Sequence, residues 1–160
     1  MNNSYELKEV CFDEIFDVWS KKLWPHRDSK ILPISAIGFD GKFDKKIEQS
    51  FPYFFAIFDG NNIIAVNSGY LTSESYFRSR GLYVEEAFRG KGFARKVLNA
   101  TEVKANELGA KFIWSMPRNE ALIVYEKAGY DCISKPIQEG FEYGPNYLVV
   151  KKTIQNETFT

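Results

Sequence analysis

Residues 53–58 and 63–71 are two apolar runs joined by Asp59-Gly60-Asn61-Asn62. Asp, Gly and Asn tolerate the positive φ that a tight connection needs, so this spacing predicts a β-hairpin. A second turn signal, Thr72-Ser73-Glu74-Ser75, leads into another strand over 76–84. The middle of the chain is thus committed to an antiparallel meander. The segment after the meander is helical: Phe93/Ala94, Val97/Leu98, Thr101, Ala105 and Leu108 recur every three or four residues, and Gly109 ends the pattern.

The flanking regions complete the order. Residues 4–10 alternate apolar and polar and read as a first strand. Over 12–23, Phe12, Ile15, Phe16, Trp19 and Leu23 lie at helical spacing, with Phe12, Phe16 and Trp19 expected in the core, and Pro25 stops the helix. Asp28 is a candidate cap for a second short helix before Pro33, and 38–50 reads as a polar loop. Residues 111–116 form a short buried-type strand closed by Pro117; Trp114 belongs to the core there. Asn119 is expected to cap a helix running to Ala128, with Gly129 as its stop. Residues 130–134 and 147–154 are two last strands, and 155–160 a frayed tail. The result is one α/β (α+β) domain over 1–154, with a mixed, mostly antiparallel sheet of about seven strands and about four helices.

Composition excludes several classes. At 160 residues with 44% hydrophobic side chains, the chain is long and apolar enough for one core. Its 21 basic and 21 acidic residues cancel, which argues against a generic nucleic-acid binder. No apolar run approaches the ~18 residues of a membrane span, and Met1 to Glu6 lacks a signal-peptide pattern. Cys11 and Cys132 sit far apart, outside any metal-binding spacing, and fit small hydrophobes in a reducing compartment. A cytoplasmic protein with no metal, no nucleic acid and no membrane partner is expected; a homodimer stays open.

The charge is uneven. Residues 78–104 hold seven bases (Arg78, Arg80, Arg89, Lys91, Arg95, Lys96, Lys104) against three acids, a net of +4. Within them, Leu82-Tyr83-Val84 ends a strand, Arg89-Gly90-Lys91-Gly92 forms a loop, and Phe93-Ala94-Arg95 opens a helix. Amides at a helix start lack internal partners, and the helix dipole favours an anion there. Gly90 and Gly92 let the backbone approach closely, and the bases add charge. The segment should cradle a phosphate or pyrophosphate. A Walker A loop is absent, and a dinucleotide fingerprint fails because Arg95 stands where its third glycine belongs.

Arg89-Gly90-Lys91-Gly92-Phe93-Ala94 resembles the [QR]-x-x-G-x-[GA] motif of the GNAT superfamily of N-acetyltransferases. About 30 residues on, Asn119 through Tyr125-Glu126-Lys127-Ala128-Gly129-Tyr130 resembles that superfamily's second motif. The order of elements agrees over nearly the whole chain. The resemblance implies a GNAT-like fold with a splayed central cleft and acetyl transfer from acetyl-CoA to an amine by direct attack. It implies that the backbone of Leu82 and Val84 pairs with the pantetheine arm, with Tyr83 between them in the cofactor site, and that the amides of Arg89, Gly90, Lys91, Gly92, Phe93, Ala94 and Arg95 hold the pyrophosphate. The Val84 N–H would be the oxyanion donor, Asn119 would touch the cofactor arm, and Tyr125 would protonate the leaving thiolate. Another acyl donor on the same fold, or a catalytically silent CoA-binding module, are the alternatives.

The acceptor amine and the base that deprotonates it stay open. Some relatives place a glutamate four residues before Leu82, where this chain has Arg78. Glu74, Tyr76, Glu85 and the single histidine, His26, are the remaining base candidates. Asn67 and Ser68 either line the acceptor side or face water.

Overall fold

The computed structural model describes residues 4–137 and 144–153. Seven strands form one sheet: β1 (Tyr5–Val10), β2 (Tyr53–Asp59), β3 (Asn62–Leu71), β4 (Tyr76–Val84), β5 (Phe112–Ser115), β6 (Asp131–Cys132) and β7 (Val149–Lys152). Their spatial order is β1-β2-β3-β4-β5-β7-β6, and every pairing is antiparallel except β4 with β5. A parallel pair needs a crossover, here supplied by α2 (Phe93–Glu107). The other α-helices are α1 (Phe12–Val18) and α3 (Asn119–Lys127). The α+β class and mixed sheet agree with expectation; the helices number three rather than about four among the described residues.

Strand alternation sends successive residues to opposite faces. Phe55, Ile57, Ile64, Val84, Phe93 and Val97 pack together beneath α2, and Phe77, Leu98, Ala105, Ile113, Tyr125 and Val149 continue that core towards α3. Ile15, Trp19, Leu23, Phe54, Ala56 and Val66 form the core on the α1 face.

Several local expectations change. The helix over 12–23 is α only to Val18; Trp19–Leu23 is a single π turn closed by Trp24 N–H to Trp19 O at 2.8 Å. Its buried stripe is Ile15, Trp19 and Leu23, while Phe16 faces solvent at 40% exposure. No helix forms after Asp28, because that segment is tied to the sheet instead: Leu32 O accepts from Arg80 Nη1 at 2.8 Å, and Ser35 exchanges hydrogen bonds with the Tyr70 hydroxyl. The loop over 38–50 contains a short 3₁₀ turn, Lys45–Gln49. The last strands shrink to Asp131–Cys132 and Val149–Lys152. Arg118, not Asn119, occupies the cap position of α3, and it makes no side-chain cap bond. Both cysteines are exposed free thiols rather than small core residues. The expected tail, 155–160, lies outside the described residues.

One irregularity positions the cleft. Val66 opposes Tyr83 while Ser68 opposes Arg80, so β4 carries one extra residue there. Gly81 supplies it with φ +80°, a left-handed conformation natural for glycine. A bulge bends and twists its strand. β4 pairs with β5 only through Tyr76, Phe77 and Arg78, and beyond the bulge Tyr83 and Val84 pair with β3 alone.

Candidate active site

The edge of β4 beyond Gly81 is open towards β5. Glu85 N–H donates to Ile64 O at 2.8 Å, so Glu85 faces β3. Alternation then points the backbone of Val84, and of Leu82 before it, away from β3 and into the gap. Leu82 and Tyr83 are half-buried and Val84 is buried. The Val84 carbonyl already accepts from Arg89 Nε at 2.9 Å, which leaves its N–H as the group facing the gap.

The glycine loop continues directly from that edge. A 3₁₀ turn, Glu86–Phe88, leads to Arg89. Gly90 and Gly92 take φ of +77° and +87°, and a Cβ on either would meet no atom within 4 Å. The loop is therefore open space lined by backbone. The first helical amide with a partner beyond it is that of Lys96, which bonds Gly92 O at 3.2 Å. The amides of Phe93, Ala94 and Arg95 precede any helical acceptor. Arg89, Lys91, Arg95 and Lys96 are exposed around them, and Arg95 Nη1 also donates to Lys127 O at 3.4 Å. This cradle suits an anion such as a pyrophosphate: the first helical amides have no helical acceptor, the dipole is favourable, and the space at Gly90 and Gly92 is open.

The basic segment does not act as one patch. Arg78 and Arg80 lie before the bulge and point to the opposite face, where both are buried. Arg89, Lys91, Arg95 and Lys96 surround the loop, while Lys104 lies in the last turn of α2, ion-paired with Glu9 and Glu107.

Tyr125 reaches the gap from α3. Its hydroxyl stands 2.6 Å from Ser79 Oγ, and Ser115 Oγ donates to Ser79 O at 2.6 Å. Ser79 and Ser115 are the residues at which β4 and β5 part. Asn67 Nδ2 donates to Ser79 Oγ at 2.8 Å and to Thr101 Oγ1 at 2.9 Å. Burial raises the Tyr125 pKa above its ordinary value despite the bonds from Ser115 and Ser79. The phenol is thus neutral and holds its proton at physiological pH.

Asn67 and Ser68 face neither water nor one common side. Asn67 lies under α2 in the Tyr125 network, while Ser68 Oγ donates to Arg80 O at 2.7 Å across the bulge. Sequence reasoning missed the network of Asn67, Ser79, Thr101 and Ser115. The polar interruption of an apolar strand at Asn67 was its one visible signal.

Asn119 is exposed at the first turn of α3. The base candidates do not converge. Glu85 is ion-paired with Lys22, and Tyr76 is stacked on Phe112 with centroids 4.8 Å apart. Glu74 and His26 are exposed, the latter at φ +62°.

The model of the acetyltransferase (GNAT) family matches residues 12–130. The chain belongs to the GNAT family. A designated N-acetyltransferase from Lactobacillus plantarum shares the fold with a TM-score of 0.69 at 20% identity, over 95% of this chain and 100% of that one. Ard1 from Thermoplasma volcanium aligns with a TM-score of 0.68 at 15% identity, over 94% and 99% of the two chains. An aminoglycoside 6'-N-acetyltransferase, solved in complex with coenzyme A, aligns with a TM-score of 0.68 at 15% identity, over 93% and 97%. No curated protein sequence matches this chain significantly. Among the described residues no helix is long and apolar enough to cross a membrane.

Proposed function

We propose that this GNAT protein is an N-acetyltransferase that moves an acetyl group from acetyl-CoA to a primary amine in the cytoplasm. The observation that carries the reading is the open backbone edge at Leu82 and Val84, with Tyr83 between them paired to β3, running straight into the open glycine cradle. An extended amide-bearing arm adds to that edge as a strand would, and its pyrophosphate meets the amides of residues 89–95. A neighbour of the same fold binds coenzyme A, which supports the same donor here.

A thioester is already activated, so this chain's work is orientation, oxyanion stabilisation and proton management. The Val84 N–H faces the gap and suits a developing oxyanion, where removing such a donor typically costs about 10²–10³-fold in rate. Tyr125, neutral and at the parting of β4 and β5, is placed to supply a proton to the departing sulfur. Asn119, at the exposed start of α3, would touch the cofactor arm, as the family resemblance implies. The amine loses its proton to water, since none of Glu74, Tyr76, Glu85 or His26 is gathered at the gap. The attack is direct, and neither exposed free thiol, Cys11 or Cys132, takes part in it.

The experiment is thiol release from acetyl-CoA over an amine panel, alongside thermal shifts with acetyl-CoA, CoA, ATP and NAD. A ligand at about a hundred times its Kd stabilises by about 2.7 kcal/mol. Stabilisation by acetyl-CoA and CoA with amine-dependent thiol release is expected. Stabilisation by ATP or NAD alone overturns the reading. A shift with CoA but no thiol release from any amine makes the protein a silent binding module, and release only with longer acyl-CoA changes the donor.

A further inference from the structure

Arg78 and Arg80 are 7% and 6% exposed, on the sheet face opposite α2. Buried charges are ordinarily paired, because desolvating an ion costs several kcal/mol. Neither has an ion-pair partner among the described residues. Arg78 lies over the Trp114 ring at 4.9 Å, and its Nε and Nη1 are sealed from solvent without a hydrogen-bond partner. Arg80 lies against both the Trp19 and Trp24 rings, at 5.1 and 5.0 Å, and gives one bond, to Leu32 O. Flat rings stabilise a guanidinium by cation–π attraction, but they do not neutralise it. The two arginines also repel each other, and Arg27 adds a third positive charge nearby. Two buried cations side by side, with no compensating carboxylate among the described residues, are costly to the fold and need a reason.

Their position gives one. Arg78 is the last β4 residue paired with β5, opposite Trp114. It therefore borders the point where the strands part, beside Ser79 and the Tyr125 hydroxyl. Residues 24–39 roof this face through Leu32, Ser35 and Phe39, whose ring packs on Trp114 at 5.6 Å. The acetyl donor enters from the α2 face along the glycine cradle, so the amine must approach from this one.

The geometry points to an acceptor that carries a carboxylate as well as its amine, with Arg78 and Arg80 holding that carboxylate on the face opposite α2. This rests on the acetyl-transfer reading for the amine, but the anion site stands on the arginines themselves. A guanidinium matches a carboxylate in planar, charge-assisted bonds. The same charges repel a polycationic acceptor. Amino acids and short peptides with a free C-terminus are the class this selects.

The test has a binding arm and a turnover arm. In the first, the N-acetyl derivatives of the common amino acids and their C-terminal amides are compared by thermal shift with wild type and Arg78→Met. Acids should raise the melting temperature of wild type and amides should not. Arg78→Met should melt no lower than wild type, since it removes an unpaired buried cation, and should lose the response to acids. In the second, kcat/KM for free amino acids should exceed that for their amides by tenfold or more. Arg78→Met should erase that preference with the KM for acetyl-CoA unchanged. Short dipeptides beside free amino acids separate the two sources of the carboxylate. Equal binding and turnover of acids and amides overturns the inference, as does a folded Arg78→Met that keeps the preference, or turnover confined to phosphoethanolamine or polyamines. Arg78-dependent binding of acids with no thiol release from any amine upholds the anion site and overturns acetyl transfer instead.

Discussion

Gly92 and Gly109 share a backbone state but not a role. Both sit in the left-handed region, at φ +87° and +79°, and a Cβ on either meets nothing within 4 Å. Placing a side chain there costs about 1–2 kcal/mol of strain in each case. Gly109 ends α2, whereas Gly92 begins it inside the cradle. Gly92→Glu should lower the affinity for acetyl-CoA by ~100-fold, about 2.7 kcal/mol, because its carboxylate stands where the pyrophosphate must lie. Gly109→Glu should show a similar melting-point loss with unchanged affinity. Calorimetric binding of CoA to both variants separates strain from site, and equal affinities would remove Gly92 from the cradle. Tyr125 poses the complementary case, since its hydroxyl serves both packing and chemistry. Tyr125→Phe keeps the ring and leaves Ser79 Oγ bonded to Asn67. It should cost about 1 kcal/mol of stability and lower kcat by ~10²-fold with acetyl-CoA affinity intact. Steady-state thiol release with a separate binding measurement decides it; full turnover in the variant would return Tyr125 to the core.

The splay between β4 and β5 is built where an element of one layer presses on an irregularity in another. Trp19, in the π turn after α1, donates from Nε1 to Gly81 O at 3.0 Å, and its ring packs closely on the bulge. A Cβ on Gly81 would fall 2.2 Å from Trp19 Cζ2. Gly81→Ala therefore combines left-handed strain with overpacking, together ~3 kcal/mol. The denaturant midpoint should fall accordingly, and Trp19 fluorescence should shift before global unfolding. An unchanged midpoint would mean that the bulge does not depend on glycine. Elements held by local chemistry were readable from the sequence: the turn at Asp59-Gly60 and the helix stopped by Gly109 are both present. Elements set by distant contacts were not. The helix expected after Asp28 gives way to carbonyls engaged by Arg80 and Tyr70 from the sheet. The π turn arises because Trp19 must reach Gly81, 62 positions away.

At the scale of the molecule, the bulge also explains why the site was half legible. The glycine cradle is contiguous in sequence, so spacing alone exposed it. The basic segment also looked contiguous, but Arg78 and Arg80 are on β4 while the later bases are on the loop and α2, and the residue inserted at Gly81 changes which face the end of β4 presents, an insertion that periodicity cannot see. The arginines before it join α1 and the loop over 24–39; the bases after it join α2. The same division places two buried phenols on the α2 face, with a consequence for alkaline stability. Burial raises the pKa of Tyr125, and burial with the Glu102 carboxylate raises that of Tyr130, which donates to Glu102 Oε2 at 2.8 Å. Below pH ~10 both phenols are neutral in the folded and unfolded chains, and their contribution is fully present. Above it the unfolded chain releases two protons that the folded one keeps, so stability falls. Arg80 acts in the opposite sense: burial pulls its pKa from 12.5 down to about 10, so the folded chain sheds that proton first. The phenolic protons that the folded chain keeps outnumber the one that Arg80 sheds, and Lys104, whose desolvation is outweighed by Glu9 and Glu107 so that its pKa is raised, keeps its proton as well, so the net effect is a decline above pH ~10. Urea midpoints measured between pH 8 and 11 should follow that decline. Tyr130→Phe should lower the whole curve by its lost hydrogen bond and reduce the slope by one proton. A wild-type midpoint that holds constant to pH 11, or tyrosinate absorbance for all the tyrosines in the folded protein, would show that these phenols reach solvent and that the core beneath α2 and α3 is not closed.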